Sequence, residues 1–447
     1  MKAKNIYKYL AISFIALLLG SCTSTEVDAK FDKNATERLS SRQKELNDVL
    51  LSSSEGWKAV YYTDSTQLGG WTHLFKFLPE GKVDMASDFN SLTGTYKSQY
   101  EIQVGSTVSL VFTTENRIHL LSDANNSPTA ALLAKGYLGD FQFFYYGQKN
   151  GDIIFRTNRN GHEVRFVKAT AKDWTDLAKN TPIINAITGD EVSPLYRLLQ
   201  INDGSTVQNY DFDYNTAARF GVATSLLAGS TDVQNLALAF TPTGATIKPA
   251  LTVKGQKLTN FVYDTATNNF VATGTGGVSA TLKFSNVPPR LTDDYKILLP
   301  GKISARLGYF VDDYTEDAST NSQLFINELA KINASLPKGV TITSVQLYLN
   351  HSLGNFIYYT FAGGQPAIFH YIDVVEDAPN QKIILKHKSW NGNTTAAAPA
   401  FLASFDKNLV NTTGVFVKKE NFKLGYTNTV YTFTSASSSF RMTTWLL

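Results

Sequence analysis

A single cysteine, Cys22, stands in 447 residues. Disulfide frameworks need thiols in pairs and cysteine-ligated zinc needs several, so both are excluded. Charge is also sparse, at 18% Asp, Glu, Lys and Arg, below the roughly 25% usual for soluble domains. The net charge is +3, and Lys2, Lys4 and Lys8 account for all of it. The rest of the chain is neutral. That argues against nucleic acid as a partner and against long-range steering of a strongly charged ligand, since both need a field of one sign. Familiar catalytic arrangements are missing too. The six histidines (His73, His119, His162, His351, His370, His387) are scattered, and His162-Glu163 has no second histidine four residues after the first, as a zincin requires. Ser335-Leu-Pro-Lys338 lacks its companion motifs. "TGTGG" (273–277) lies between two strand-like runs, where a phosphate cradle would need a following helix. No nucleophile elbow occurs.

What is present begins at the N-terminus. Three lysines precede the apolar run Leu10–Leu19, broken only by Ser13. A spanning helix needs about 20 apolar residues, so this run fits a signal-peptide h-region. An N-terminal membrane anchor is the competing reading. Leu19-Gly20-Ser21-Cys22 resembles a bacterial lipobox. Small residues let the peptidase reach the backbone, and the thiolate carries the lipid. The expectation is a signal peptide over 1–21, lipid on Cys22, and a flexible tether over 22–33. Cys22→Ser is then expected to give an unlipidated chain that partitions into the aqueous phase of a detergent phase separation. A cleaved variant that still partitions with detergent would contradict this.

The body reads as mainly β. Asn34 and Glu37 form a capping-box pattern ahead of a helix ending near Leu51. The apolar period then becomes two, as in strands. About eight strand-like runs follow, from Gly56–Tyr62 to Val164–Val167, with Asn150-Gly151 and Asn160-Gly161 as hairpin signals. A helix near Lys172–Lys179 carries Trp174. An eight-strand meander suggests a lipocalin-like barrel whose mouth could take a ligand; an open curved sheet covered by helices is the alternative. Domain bounds are expected at 34–180 for this unit, 181–219 for a junction and 220–447 for a second antiparallel β domain. Ser193-Pro194 suggests a helix start, with Leu195, Leu198 and Leu199 following. Later runs fall at 236–240, 246–253, 260–263, 270–273, 280–284, 341–349, 355–361, 367–374, 382–388, 415–419 and 429–433. One helix is expected near 321–332, capped by Thr320 with Gln323.

Several stretches resemble a family of Bacteroidetes lipoproteins that carry a domain of unknown function: "FDKNATER" (31–38), "GWKAVYY" (56–62), "GGWTHLFKF" (69–77), "KVDMASDF" (82–89), "TYKSQYEI" (95–102), "LVFTTENRIHLLSD" (110–123), "GDFQFFYYG" (139–147), "GDIIFRTNRNG" (151–161) and "FTPTGATIKPALTVKG" (240–255). The resemblance covers about residues 30–255. Such proteins are typically encoded beside SusC-like TonB-dependent transporters and SusD-like lipoproteins. The resemblance implies outer-membrane, cell-surface placement and a role near nutrient uptake. It supplies no catalytic residue. Glu26 and Asp28 loosely match an acidic surface-export signal, and equally suit a plain solvated linker.

Candidate sites are few. Trp71 and Trp390 sit where indole faces could stack on a sugar or grip an apolar ligand; plugging a barrel end or an interdomain seam is the alternative. Asp312, Asp313, Glu316 and Asp317 cluster before the predicted helix and could hold calcium if one loop folded them onto one centre; a solvated turn is the other reading. "DFDYN" (211–215) imitates half of a calcium loop but lacks its glycine and its acidic twelfth residue. Asp64-Ser65-Thr66 and Asp264-Thr265-Ala266 resemble the acceptor motif of Bacteroides O-glycosylation, at Ser65 and Thr265. The leading expectation is a non-catalytic ligand-binding or accessory component of a TonB-dependent uptake system, with a carbohydrate or peptide ligand and no cofactor apart from that calcium. The alternatives are a partner of a SusC/SusD-like complex without its own ligand, and a hydrolase with an unrecognised active site.

Overall fold

The computed structural model describes residues 34–447. The expected signal peptide, Cys22 and the expected tether lie outside the described residues. Helix Ala35–Leu51 starts with the expected capping box between Asn34 and Glu37. It lays Leu46, Val49 and Leu50 onto the first sheet, and the Trp57 indole N–H donates to the Leu50 carbonyl at 3.0 Å.

The strands after that helix form three closed antiparallel barrels of eight strands each, all of them up-and-down meanders. The N-terminal barrel runs from Trp57–Tyr62 to Glu163–Lys168 and closes where Trp57 pairs with Lys168 and Lys58 with Val167. Barrel closure thus holds over the open-sheet alternative. The barrel has no ligand lumen, because inward aromatics fill it. Phe75 stacks on Phe166 at 4.7 Å and on Phe112 at 5.3 Å, with Phe77, Phe143 and Phe155 around them. Asn150 and Gly151 both adopt positive φ (57° and 87°) in a tight hairpin, as a type I′ turn requires. Asn160-Gly161 differs: only Gly161 has positive φ, and the turn is longer, closed by Thr157 and His162.

The stretch expected to hold a junction (181–219) and one further β domain (220–447) contains two barrels. The middle barrel runs from Tyr196–Asp203 to Val278–Ser285, and these two strands pair with each other to close it. The C-terminal barrel runs from Ala305–Phe310 to Arg441–Leu446. The difference lies in five strands that periodicity did not reveal. Tyr196–Asp203, Val207–Asn215 and Phe220–Ser225 complete the middle barrel, while Ala305–Phe310 and Arg441–Leu446 complete the last. Ser193-Pro194 therefore opens a strand rather than a helix. The adjacent Leu198 and Leu199 mask the alternation there, and only Leu199 is fully buried. The helix expected near 321–332 is Gln323–Ser335, capped by Ser322; the Thr320 hydroxyl instead bonds Thr443 at 2.7 Å. Helices Ala171–Asp176 and Asn180–Thr188 link the first two barrels.

Candidate functional site

Neither candidate tryptophan offers a face to a ligand. Trp71 is 1% exposed and Trp390 4% exposed. Trp71 lies at the seam between the first two barrels, edge-on to Tyr137 at 5.0 Å, with the Arg219 guanidinium 5.4 Å from its ring. Trp390 stacks on His370 at 3.9 Å inside the C-terminal barrel. The plugging reading describes both. The acidic cluster does not converge. Glu316 takes the backbone N–H of Asp312 (2.7 Å) and Asp313 that of Tyr314 (2.8 Å). Among the described residues no three His, Asp or Glu side chains are placed to hold a metal ion. The Glu316 and Asp313 carboxylates serve a turn, and the calcium expectation at this loop is corrected. "DFDYN" lies on strand Val207–Asn215, where alternation sends Tyr210, Phe212 and Tyr214 inward. Ser65 and Thr265 both sit on turns, with Thr265 exposed.

Two polar networks went unread in the sequence. The first locks the N-terminal barrel to the middle one. Arg219 donates to the Gly70 carbonyl (3.0 Å), to Asp88 Oδ1 (3.1 Å) and to the Asp88 carbonyl. Asp88 also accepts from the Thr72 N–H and from the Asn180 amide, at 2.9 and 2.8 Å. His73 lies in the core nearby with neither ring nitrogen partnered. Burial, aided by the Arg219 charge, lowers its pKa from 6.5 to about 3, so the ring is neutral at physiological pH.

The second network sits in the C-terminal barrel. Asp406 accepts from the Tyr359 hydroxyl and from His370 Nδ1, both at 2.7 Å. A carboxylate only accepts, so His370 Nδ1 carries a proton, and its Nε2 lies 2.8 Å from His387 Nδ1. Burial, together with Asp406, holds the Tyr359 hydroxyl well above its ordinary pKa. An Asp–His couple activates a nucleophile when a hydroxyl or thiol faces the second ring nitrogen. Here that nitrogen meets another imidazole, so the network serves to fix the core.

One feature that can receive a ligand is a cleft of about 820 Å³ at one end of the middle barrel. Three separated segments build it. Helix Asn180–Thr188 contributes Pro182 and Asn185, and the turn after it contributes Gly189, Asp190, Val192, Ser193 and Pro194. The hairpin 263–269 adds Tyr263, Asn268 and Asn269, and strand Val278–Ser285 adds Phe284. Gly189 ends the helix at φ +75°, with Phe284 3.1 Å from where a Cβ would lie, so a larger residue here would crowd the cleft wall. Asp190 is the lining's one ionisable acid, and no Lys, Arg or His lines the cleft. The Ser193 hydroxyl and backbone amides occupy the Asp190 carboxylate and hold its pKa below the usual range. Tyr263 is oriented by its hydroxyl bond to Asn268 (2.8 Å), and Phe284 by the Arg197 guanidinium 4.9 Å behind it. The cleft thus offers two aromatic rings, prolines and neutral amides. Its Asn, Ser, Thr, Pro and Gly residues read in sequence as ordinary turn formers, which is why periodicity passed over them.

A family model described as "Domain of unknown function (DUF4302)" matches residues 27–265, more than half of the chain. The match ends in the hairpin beside the cleft, so the last two strands of the middle barrel and the whole C-terminal barrel fall beyond it. No curated protein matches the chain.

Proposed function

The chain belongs to the DUF4302 family, and from that premise and the chemistry of the cleft we infer a non-catalytic binding protein for an uncharged, hydroxyl-rich ligand, a short neutral glycan. The lining of the cleft is the observation that carries this reading. Sugars present apolar C–H faces that suit aromatic rings and hydroxyls that suit amides. A lining without cationic groups, whose one carboxylate stays ionised, gives an anionic ligand no countercharge and leaves recognition to rings and amides that suit an uncharged one. The volume falls within the range of about 300–1,000 Å³ common for small-molecule sites.

The lipobox-like Leu19–Cys22 supports lipid anchoring of this protein at the outer membrane. With the resemblance to transporter-linked lipoproteins, it supports a place on the cell surface beside a TonB-dependent transporter and a SusD-like partner. Presentation of a captured glycan to that transporter is the role this assigns. Isothermal titration of the full chain in detergent with maltotetraose and cellotetraose tests the binding. Phe284→Ala and Tyr263→Ala are each expected to weaken it by about tenfold, the loss of one stacking ring, while the far-ultraviolet circular dichroism stays unchanged. Unaltered affinity in both folded variants would remove the cleft from the reading.

A further inference from the structure

The wall of the cleft is gripped from behind by the C-terminal barrel. Residues 189–194 form that wall, and Glu191 at its tip turns away from the cleft lining. Its carboxylate Oε2 accepts from the Asn327 amide on helix Gln323–Ser335, and its backbone carbonyl accepts from the Ser439 hydroxyl. Lys331, one turn beyond Asn327, adds a favourable charge toward Glu191. Immediately after the wall, the Tyr196 hydroxyl lies 3.4 Å from the Thr434 hydroxyl. Every one of these partners belongs to the C-terminal barrel. The turn is thus braced internally by Asp190–Ser193 and externally by a second barrel.

We propose that Glu191 is a positioning residue through which the C-terminal barrel sets the ligand affinity of the middle-barrel cleft. The proposal rests on the glycan-binding reading above. An exposed turn held only by its own contacts would sample many positions, and binding would then carry the cost of ordering it. Bracing by Asn327 and Ser439 meets that cost in advance. The coupling is reciprocal by linkage: a ligand that fixes the wall also fixes the contact with helix Gln323–Ser335. A role for the third barrel, beyond the region that the family model matches, follows directly.

The test uses the full chain with hydrogen exchange and titration of the same two tetrasaccharides. Without ligand, Glu191→Ala and Asn327→Ala are expected to speed amide exchange across 189–195, while exchange in the N-terminal barrel stays unchanged. With ligand, both variants are expected to bind about five- to tenfold more weakly, although neither residue touches the cleft. Glu191→Gln keeps an acceptor for the Asn327 amide and is expected to restore both readouts. Saturating ligand is expected to slow exchange in 323–335 of the wild-type protein. Unchanged exchange at 189–195 in both alanine variants overturns the strut whatever the ligand does. Faster exchange there, with no tetrasaccharide binding to wild type, overturns the glycan reading and with it the effect on affinity, while the mechanical contact stands. Faster exchange with undiminished affinity overturns the proposal itself.

Discussion

Replacing Arg219 by alanine is expected to lower the stability of the joined N-terminal and middle barrels by about 3–5 kcal/mol, the cost of stranding a buried charge. Asp88 is 1% exposed and would keep its bonds from Thr72 and Asn180 but lose its only countercharge. The carbonyls of Gly70 and Asp88 would lose their donor in the same step. Lysine should rescue little, because one ammonium cannot reproduce a planar fork that reaches two carbonyls and a carboxylate. Asp88→Asn added to Arg219→Ala removes the stranded charge and is expected to recover part of the loss. Urea unfolding followed by tryptophan emission reads this well, since Trp71 lies 5.4 Å from the guanidinium. A change below about 1 kcal/mol, the scale of an exposed pair, would mean that water enters the seam.

The second large effect is an acid sensitivity set by His73. Its folded pKa, about 3, lies below the unfolded value of 6.5. Between these limits the unfolded chain binds a proton that the native ring refuses, so stability rises with pH across the window and falls on acidification. At about 1.4 kcal/mol per pH unit, the loss from this group is about 2 kcal/mol by pH 5 and about 4 kcal/mol by pH 3. His73→Leu removes the titration and leaves no unpartnered ring nitrogens in the core. That variant is expected to unfold in urea at pH 5 with a midpoint much closer to its value at pH 7 than wild type shows. An identical acid dependence in the two proteins would place the sensitivity elsewhere.

The sequence is legible where one face of a strand is apolar and the other polar. Strands Trp57–Tyr62, Gln142–Lys149, Asp152–Thr157 and Glu163–Lys168 of the N-terminal barrel follow that rule, and the helix cap at Asn34 and Glu37 is legible from its own local pattern. The rule fails where carboxylates and amides crowd the outer face. In Val207–Asn215 the alternation of Tyr210, Phe212 and Tyr214 was present, but Asp211, Asp213 and Asn215 gave the stretch the look of an ion loop. It fails again at Arg441–Leu446, where Thr443 and Thr444 are buried beside Met442 and Trp445. Missing those strands turned three barrels into two domains. The cleft was out of reach for a different reason. Its walls come from segments about Asn185, Ser193, Asn268 and Phe284 that only barrel closure brings together. The Asp88–Arg219 and Asp406–His370 pairs are equally non-local, linking residues 131 and 36 positions apart.

Hydrogen exchange of the full chain with and without saturating maltotetraose or cellotetraose tests the central claim most directly. Ligand in the cleft is expected to slow exchange in 182–194 and 263–269, with smaller protection at 323–335, and to leave the N-terminal barrel unchanged. Protection confined to any other surface, or none at all with either sugar, would contradict the account.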